Sequence, residues 1–387
     1  MNSLKLILSN KKFFAPCWVF ASINILTGTW VLYLPHIKSK LLLNDADIGT
    51  ALFCFGLGIL MSMPVIPFLS KIIGIGRSTQ ISIILFAFMF LCPLYMPTYN
   101  TLLVSLFLVG FFSGLTDIAM NALVSTIEKD NDVHIMSAAH GFFSLGGFIG
   151  ASIGILIMRL VYIPAHHMII MVILIIMTNL YLAGDYNKVI EQTTKKGDGP
   201  HSTFFRIKPL VGIAIVAFII MSNEGAVEHW STLYLYDVIS VDENISGLGF
   251  MIFSFCMMIG RFFGDGVSQK FGSIKIIIVG LLIAIIAYLC IISAQLVLAI
   301  LGFGLLGIGL SVIIPELFRI AGNSDKVSAS VGISFVSGIG FIGFLIGPFI
   351  IGYISEMFDL VFSYIMLCAS IGVAIILSLL FKNLSSN

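Results

Sequence analysis

Twelve mainly apolar stretches of about 20 residues, parted by short polar breaks, fill almost the whole of this 387-residue chain. A helix of that length crosses ~30 Å of hydrocarbon, so the pattern confines the chain to a bundle of membrane helices. Soluble domains carry roughly a quarter charged residues. Here 10% are charged, 59% are apolar and the mean hydropathy is +1.09, which excludes that class. Run length together with Gly, Pro and charge punctuation places spans near 13–35, 48–69, 79–97, 101–126, 135–160 and 166–183, then near 208–235, 245–264, 274–293, 295–318, 328–353 and 360–381. The basic start MNSLKLILSNKK enters the first stretch without a small-residue cleavage site, so that stretch is expected to be retained as a span. The predicted fold is all-α and integral to the membrane.

Lys and Arg concentrate in cytoplasmic loops, which tests the count of twelve. With both termini inside, seventeen of the 20 basic residues fall on the cytoplasmic side, Arg261 and Arg319 among them, and only Lys38, Lys40 and Arg159 fall outside. An odd number of spans scrambles that asymmetry. The longest polar stretch, Asp185 to Lys208, separates the sixth span from the seventh. It predicts a six-helix bundle at 1–183, a cytoplasmic linker at 184–207 and a second six-helix bundle at 208–387.

The two halves resemble each other at an offset of about 195 residues, as in transporters built from parallel repeats. Gly114-Leu115-Thr116 matches Gly309-Leu310-Ser311, which sets Asn121 opposite Glu316. Ser137-Ala138, Gly141 and Gly147 match Ser328-Ala329, Gly332 and Gly338, and Asp45-Ala-Asp-Ile48 matches Asp242-Glu-Asn-Ile245.

Ionisable side chains cost free energy inside hydrocarbon and are functional candidates there. In the spans these are Asp117, His140, Glu224, Glu228, His229 and Glu316. Ser113, Asp117 and Asn121 recur every four residues and share a helix face, which suits either an aqueous cavity or a hydrogen-bonded helix contact. Glu128 falls at the cytoplasmic end of its span, where pairing with a loop base is open to it. The seventh span reads SNEGAVEHWSTLYLYD. Glu224 and Glu228 lie four apart on one face, an arrangement that favours sharing a proton, with His229 beside them. Gly225 would permit a local break in that helix. The bland reading puts Glu228 and His229 near the membrane surface, with Trp230 as a belt residue. Glu316 precedes Arg319 by three residues, the spacing of an intrahelical ion pair. His140 shares a face with Ser144 and Gly147, and Asn24, Thr27 and Trp30 of the first span are candidates for solute contact.

Other chemistries lack their residues. No GxxxxGK[ST] or HExxH occurs, and the six cysteines form no CxxC or Cys/His cluster. An ATP-driven pump, an enzyme, structural zinc and a disulfide framework are disfavoured on that ground, and no cofactor is implied. A net charge of +1 gives no argument for nucleic acid. Glycines in the fifth and eleventh spans mark close helix seams rather than phosphate cradles.

At GRFFGDGVSQKFG the chain resembles the loop signature of the major facilitator superfamily in its second-half copy, with Arg261, Gly264, Asp265 and Gly272 matching its core. The first-half copy, Pro67 to Arg77, keeps the basic and Gly character but lacks the acidic residue. Gly343-Phe-Leu-Ile-Gly347-Pro348 looks like a Gly-Pro hinge of that family. A narrower likeness, to the bacterial MosC-like subgroup, rests on Asp117-Ile-Ala-Met-Asn121 with Glu128, on His140 to Gly147, and on Glu224-Gly-Ala with Trp230-Ser231. The chain departs from that pattern at His229 and Glu316. The resemblance implies the major facilitator fold in a bacterial inner (plasma) membrane, with spans 1, 4, 7 and 10 lining a central cavity. It implies gating residues at Arg261 and Asp265, and the pair Glu316 and Arg319 near the cytoplasmic surface is expected to join them in gating.

The joint expectation is a monomeric secondary transporter for a small polar solute, coupled to protons, whose partners are that solute, protons and the lipid bilayer. Asp117 and Glu224 are expected to flank the midplane, with Asn121, Glu228, His229, His140, Asn24 and Trp30 around them. Two other classes stay open: an uncoupled facilitator or exporter of amphiphilic compounds, and a non-transporting membrane sensor or scaffold.

Overall fold

In lipid the backbone must satisfy its own hydrogen bonds, so each apolar run becomes a helix. The computed structural model describes residues 2–133, 135–158, 160, 163–190, 210–323 and 329–385. Within them, twelve helices are long and apolar enough to span a membrane. Their main helical segments are α1 (Lys11–Val31), α2 (Asp45–Ser62), α3 (Ile75–Met89), α4 (Tyr99–Asn131), α5 (Met136–Ile157) and α6 (Pro164–Leu182), then α7 (Val211–Leu233), α8 (Leu248–Phe271), α9 (Ser273–Ile292), α10 (Leu296–Ser311), α11 (Ala329–Met357) and α12 (Leu360–Ser385), with span three continuing to Tyr95 and span ten to Gly322. Most of the predicted linker, Arg159, Lys326 and the side chain of Asp265 lie outside the described residues.

Local chemistry sets the ends and breaks. Asn44 and Thr98 start α2 and α4 with reciprocal capping boxes. Span ten breaks at Val312 and resumes as Ile313–Gly322, because Pro315 has no N–H for the Ser311 carbonyl and its ring crowds that carbonyl. Two sequence expectations are corrected. Gly225 does not interrupt α7, which runs unbroken to Leu233 and then widens into one π-helical turn, Tyr234–Val238. The segment that resembles a loop signature is helical as far as Phe271, so Arg261, counted above with the loop bases, lies inside a span.

The internal repeat governs the packing. α1 packs on α5 as α7 packs on α11, α2 on α4 as α8 on α10, and α3 on α4 as α9 on α10. The glycine seams repeat with it: Cβ atoms on Gly146 and Gly150 would strike the α1 carbonyls of Ala21 and Ile25, and Cβ atoms on Gly343 and Gly347, 197 residues on, would strike the α7 carbonyls of Phe218 and Ser222. Gly74 and Gly272 both adopt φ +84°, each as the N-cap of the next span.

Two extensive contacts join the halves, α5 with α8 and α2 with α11, beside smaller ones such as α7 with α1. Gly338, Leu345 and Gly352 are spaced by seven and share a face of α11. Gly352 and Leu345 press on Gly49 and Gly56 of α2, whereas nothing lies within 4 Å of a Cβ on Gly338. Along this seam the halves therefore meet at the end away from the termini and part toward the termini, while α5 and α8 stay in contact as far as Gly141 and Phe262.

Candidate functional site

Arg261 stands where the halves meet. From α8 its Nη2 donates to Glu224 Oε1 of α7 at 2.7 Å, and its Nη1 donates to Ser144 Oγ of α5 at 2.9 Å. One guanidinium thus serves a carboxylate of its own half and a hydroxyl of the other. Glu224 and Arg261 are largely buried, with side chains 11% and 13% exposed, so their charge-assisted bond is little screened. His140 lies one turn before Ser144, within electrostatic reach of Arg261 and edge-on to Phe20 at 5.2 Å.

α7 distributes its polar residues by face. Asn223 points into its own half, donating to Ser370 at 3.0 Å and accepting from Tyr288 at 2.6 Å. Gly225 brings α11 close: a Cβ there would sit 2.5 Å from the Phe344 carbonyl oxygen. Trp230 is fully buried and donates to the Pro348 carbonyl at 2.9 Å, a packing role rather than a surface belt. Glu228 is buried near Glu224 and Arg261 and makes no hydrogen bond among the described residues. His229 turns toward α2, 6.3 Å from the Phe55 ring, and its buried Nδ1 has no partner among the described residues. It closes a small cavity lined with Thr27, Trp30, Leu52, Phe55, Phe90 and Leu106.

The first-half residues are more dispersed than expected. Asp117 is met by the Asn121 amide of its own helix, at 3.4 Å to the carboxylate and 2.8 Å to its main-chain oxygen. No described interaction joins it to Glu224 or Arg261. Asn24 donates to the Phe143 carbonyl at 3.0 Å and so ties α1 to α5, and Trp30 packs edge-on to Phe90 at 6.4 Å. Glu128 takes a different partner from a loop base: it accepts from the Ile135 and Met136 amides and caps α5. Glu316 and Arg319 pair at 2.9 Å, and Arg319 also donates to Ser268 at 2.6 Å, joining the second segment of span ten to α8.

A second polar group closes the far end. Lys38 bonds Asp45 at 2.5 Å in its own half and Asp237 at 2.7 Å across the divide. Asp45 also accepts from Ser355, and its amide donates to Glu356 at 3.2 Å. His36 lies 3.7 Å from Glu243. Sequence reading missed Lys38 and Ser144. The signal for Lys38 was its rarity as an outer-side base; an uncharged Ser144 offered none beyond sharing a face with His140.

The chain matches the sequence profile of the Major Facilitator Superfamily over residues 17–324 and again over 213–386. It is 31% identical to an uncharacterized MFS-type transporter of Yersinia pestis, over 86% of each chain, and 28% identical to the membrane protein MosC of Rhizobium meliloti, over 90% of this chain and 86% of that one. Its fold is similar to the crystal structure of a mutant of the nucleoside transporter NupG, with a TM-score of 0.76 and 12% identity, covering 97% of this chain and 99% of that one.

Proposed function

The chain belongs to the Major Facilitator Superfamily, in its MosC-like subgroup, and is a membrane transporter; from that premise we propose that it carries a small polar solute by alternating access, coupled to protons through Glu224 and Arg261. The observation that carries the reading is the sharing of Arg261 between Glu224 and Ser144. A proton on Glu224 replaces an ionic acceptor with a neutral one and weakens that bond. The guanidinium then redistributes toward other acceptors, which alters the contact between α5 and α8. A ligand can shift a conformational equilibrium only by its differential affinity for the two states, and a proton on Glu224 has such a difference.

In this scheme the 1–183 bundle rocks against the 208–387 bundle, joined by 184–207. The end opening toward the termini faces the cytoplasm of a bacterial cell, and one copy of the chain suffices. Asp117 and Asn121 line the solute path, His140 lies beside the Arg261 bridge, and Arg319, Glu316 and Asp265 act at the cytoplasmic gate. The test is uptake into liposomes under an imposed proton gradient. Glu224→Gln is expected to abolish accumulation while leaving solute exchange; full proton-driven accumulation by that variant would overturn the assignment.

A further inference from the structure

Glu228 is the charge for which the protein makes least provision. The residue is 5% exposed, yet no described residue donates a hydrogen bond to its carboxylate. The nearby cation is already engaged, since Arg261 gives its bonds to Glu224 and Ser144. Glu224 and Arg261 cancel each other, which leaves Glu228 without a countercharge. A carboxylate buried in that position either holds a proton or gains a cationic partner, and a cationic ligand would supply the second.

The helix shows where the carboxylate points. Glu224 reaches α8 and Gly225 faces α11, about 100° further round α7. Glu228, one turn beyond Glu224, projects between those directions, toward the gap between α8 and α11. An anionic solute there meets an uncompensated carboxylate beside a guanidinium already paired. A neutral polyol offers hydroxyl donors but no countercharge.

We propose that Glu228 is the counter-ion for a protonated amine on the transported solute, so that the cargo is a polar organic cation. This rests on the transporter reading above, and the experiment separates the two. The full-length protein is reconstituted in liposomes under proton gradients of either sign. These are exposed to a bacterial metabolite extract supplemented with equal amounts of glucosamine, glucose and glucuronate. Mass spectrometry of the lumen is read against protein-free liposomes, which corrects for passive trapping of weak bases. The accumulated compounds are expected to carry an amine. Glu228→Gln is expected to lower their accumulation at least tenfold and Glu228→Asp, which keeps the charge, to retain most of it. Accumulation of neutral or anionic solutes by the unaltered protein overturns the inference and leaves transport standing, without reliance on any variant. Equal amine accumulation by a folded Glu228→Gln also overturns it. No accumulation of any compound above protein-free liposomes overturns the transporter reading and the inference with it.

Discussion

Arg261 ties two halves of the protein with two bonds of different kind, and the weaker can be removed alone. Ser144→Ala deletes the cross-half acceptor and leaves the 2.7 Å pair with Glu224 in place. A hydrogen bond to a charged group contributes about 1.5–3 kcal/mol, so the balance is expected to move about 10- to 150-fold away from the present arrangement. Spin labels at Leu42 and Phe358, exposed residues of opposite halves at the closed end, read that shift as a longer distance; an unchanged distribution would show that the bond does not bias the equilibrium. At this scale Glu224, Glu228 and His229 were legible because polar side chains stand out within an apolar run. Arg261 stood out only through the loop signature, and its place near the end of a run counted it with the loop bases rather than with the buried charges. The pairing itself joins residues 37 positions apart on different helices, and no local pattern encodes it.

Among the elements, Gly74 and Gly272 are the plainest sign that one structural unit was used twice. Their φ of +84° with ψ of 155° and 149° belongs to a region that is essentially glycine's alone. Gly272 has nothing within 4 Å of an added Cβ, so Gly272→Ala isolates backbone strain from steric clash. It is expected to cost about 1–3 kcal/mol, visible as a lower Tm in detergent, and an unaltered Tm would contradict the strain. The capping boxes at Asn44 and Thr98 and the break at Pro315 follow from local residue chemistry. Gly225 shows the limit of such reading, because its small size serves the approach of α11 rather than a bend in its own helix.

For the whole molecule, twelve spans, two halves and a parallel repeat could be read from hydropathy, basic-residue bias and an offset of about 195 residues. Which end is closed could not, because it depends on contacts such as the Asp45 amide with Glu356. Lys38 is central to that closure. Burial lowers its affinity for a proton, but the hydrogen bonds and charges of Asp237 and Asp45 together outweigh burial and raise its pKa above the usual lysine value. Its contribution is therefore fully present below ~10.4, the ordinary lysine pKa, and is lost as pH rises through the raised value. The Leu42 and Phe358 labels are expected to report a constant closed distance across neutral pH and opening only in strong alkali, whereas Lys38→Gln opens the end at neutral pH. Constant distances in Lys38→Gln would remove Lys38 from the closure.

Closure there ends in main chain against main chain: a Cβ on Gly352 would lie 2.7 Å from the Gly49 Cα. Such a joint works as electrical insulation. Protons cross membranes along files of water, and two bare helix surfaces in contact leave no room for a file. A larger residue at Gly49 or Gly352 is expected to wedge the joint apart and to show as a standing current that drains the membrane's charge even when no solute is present.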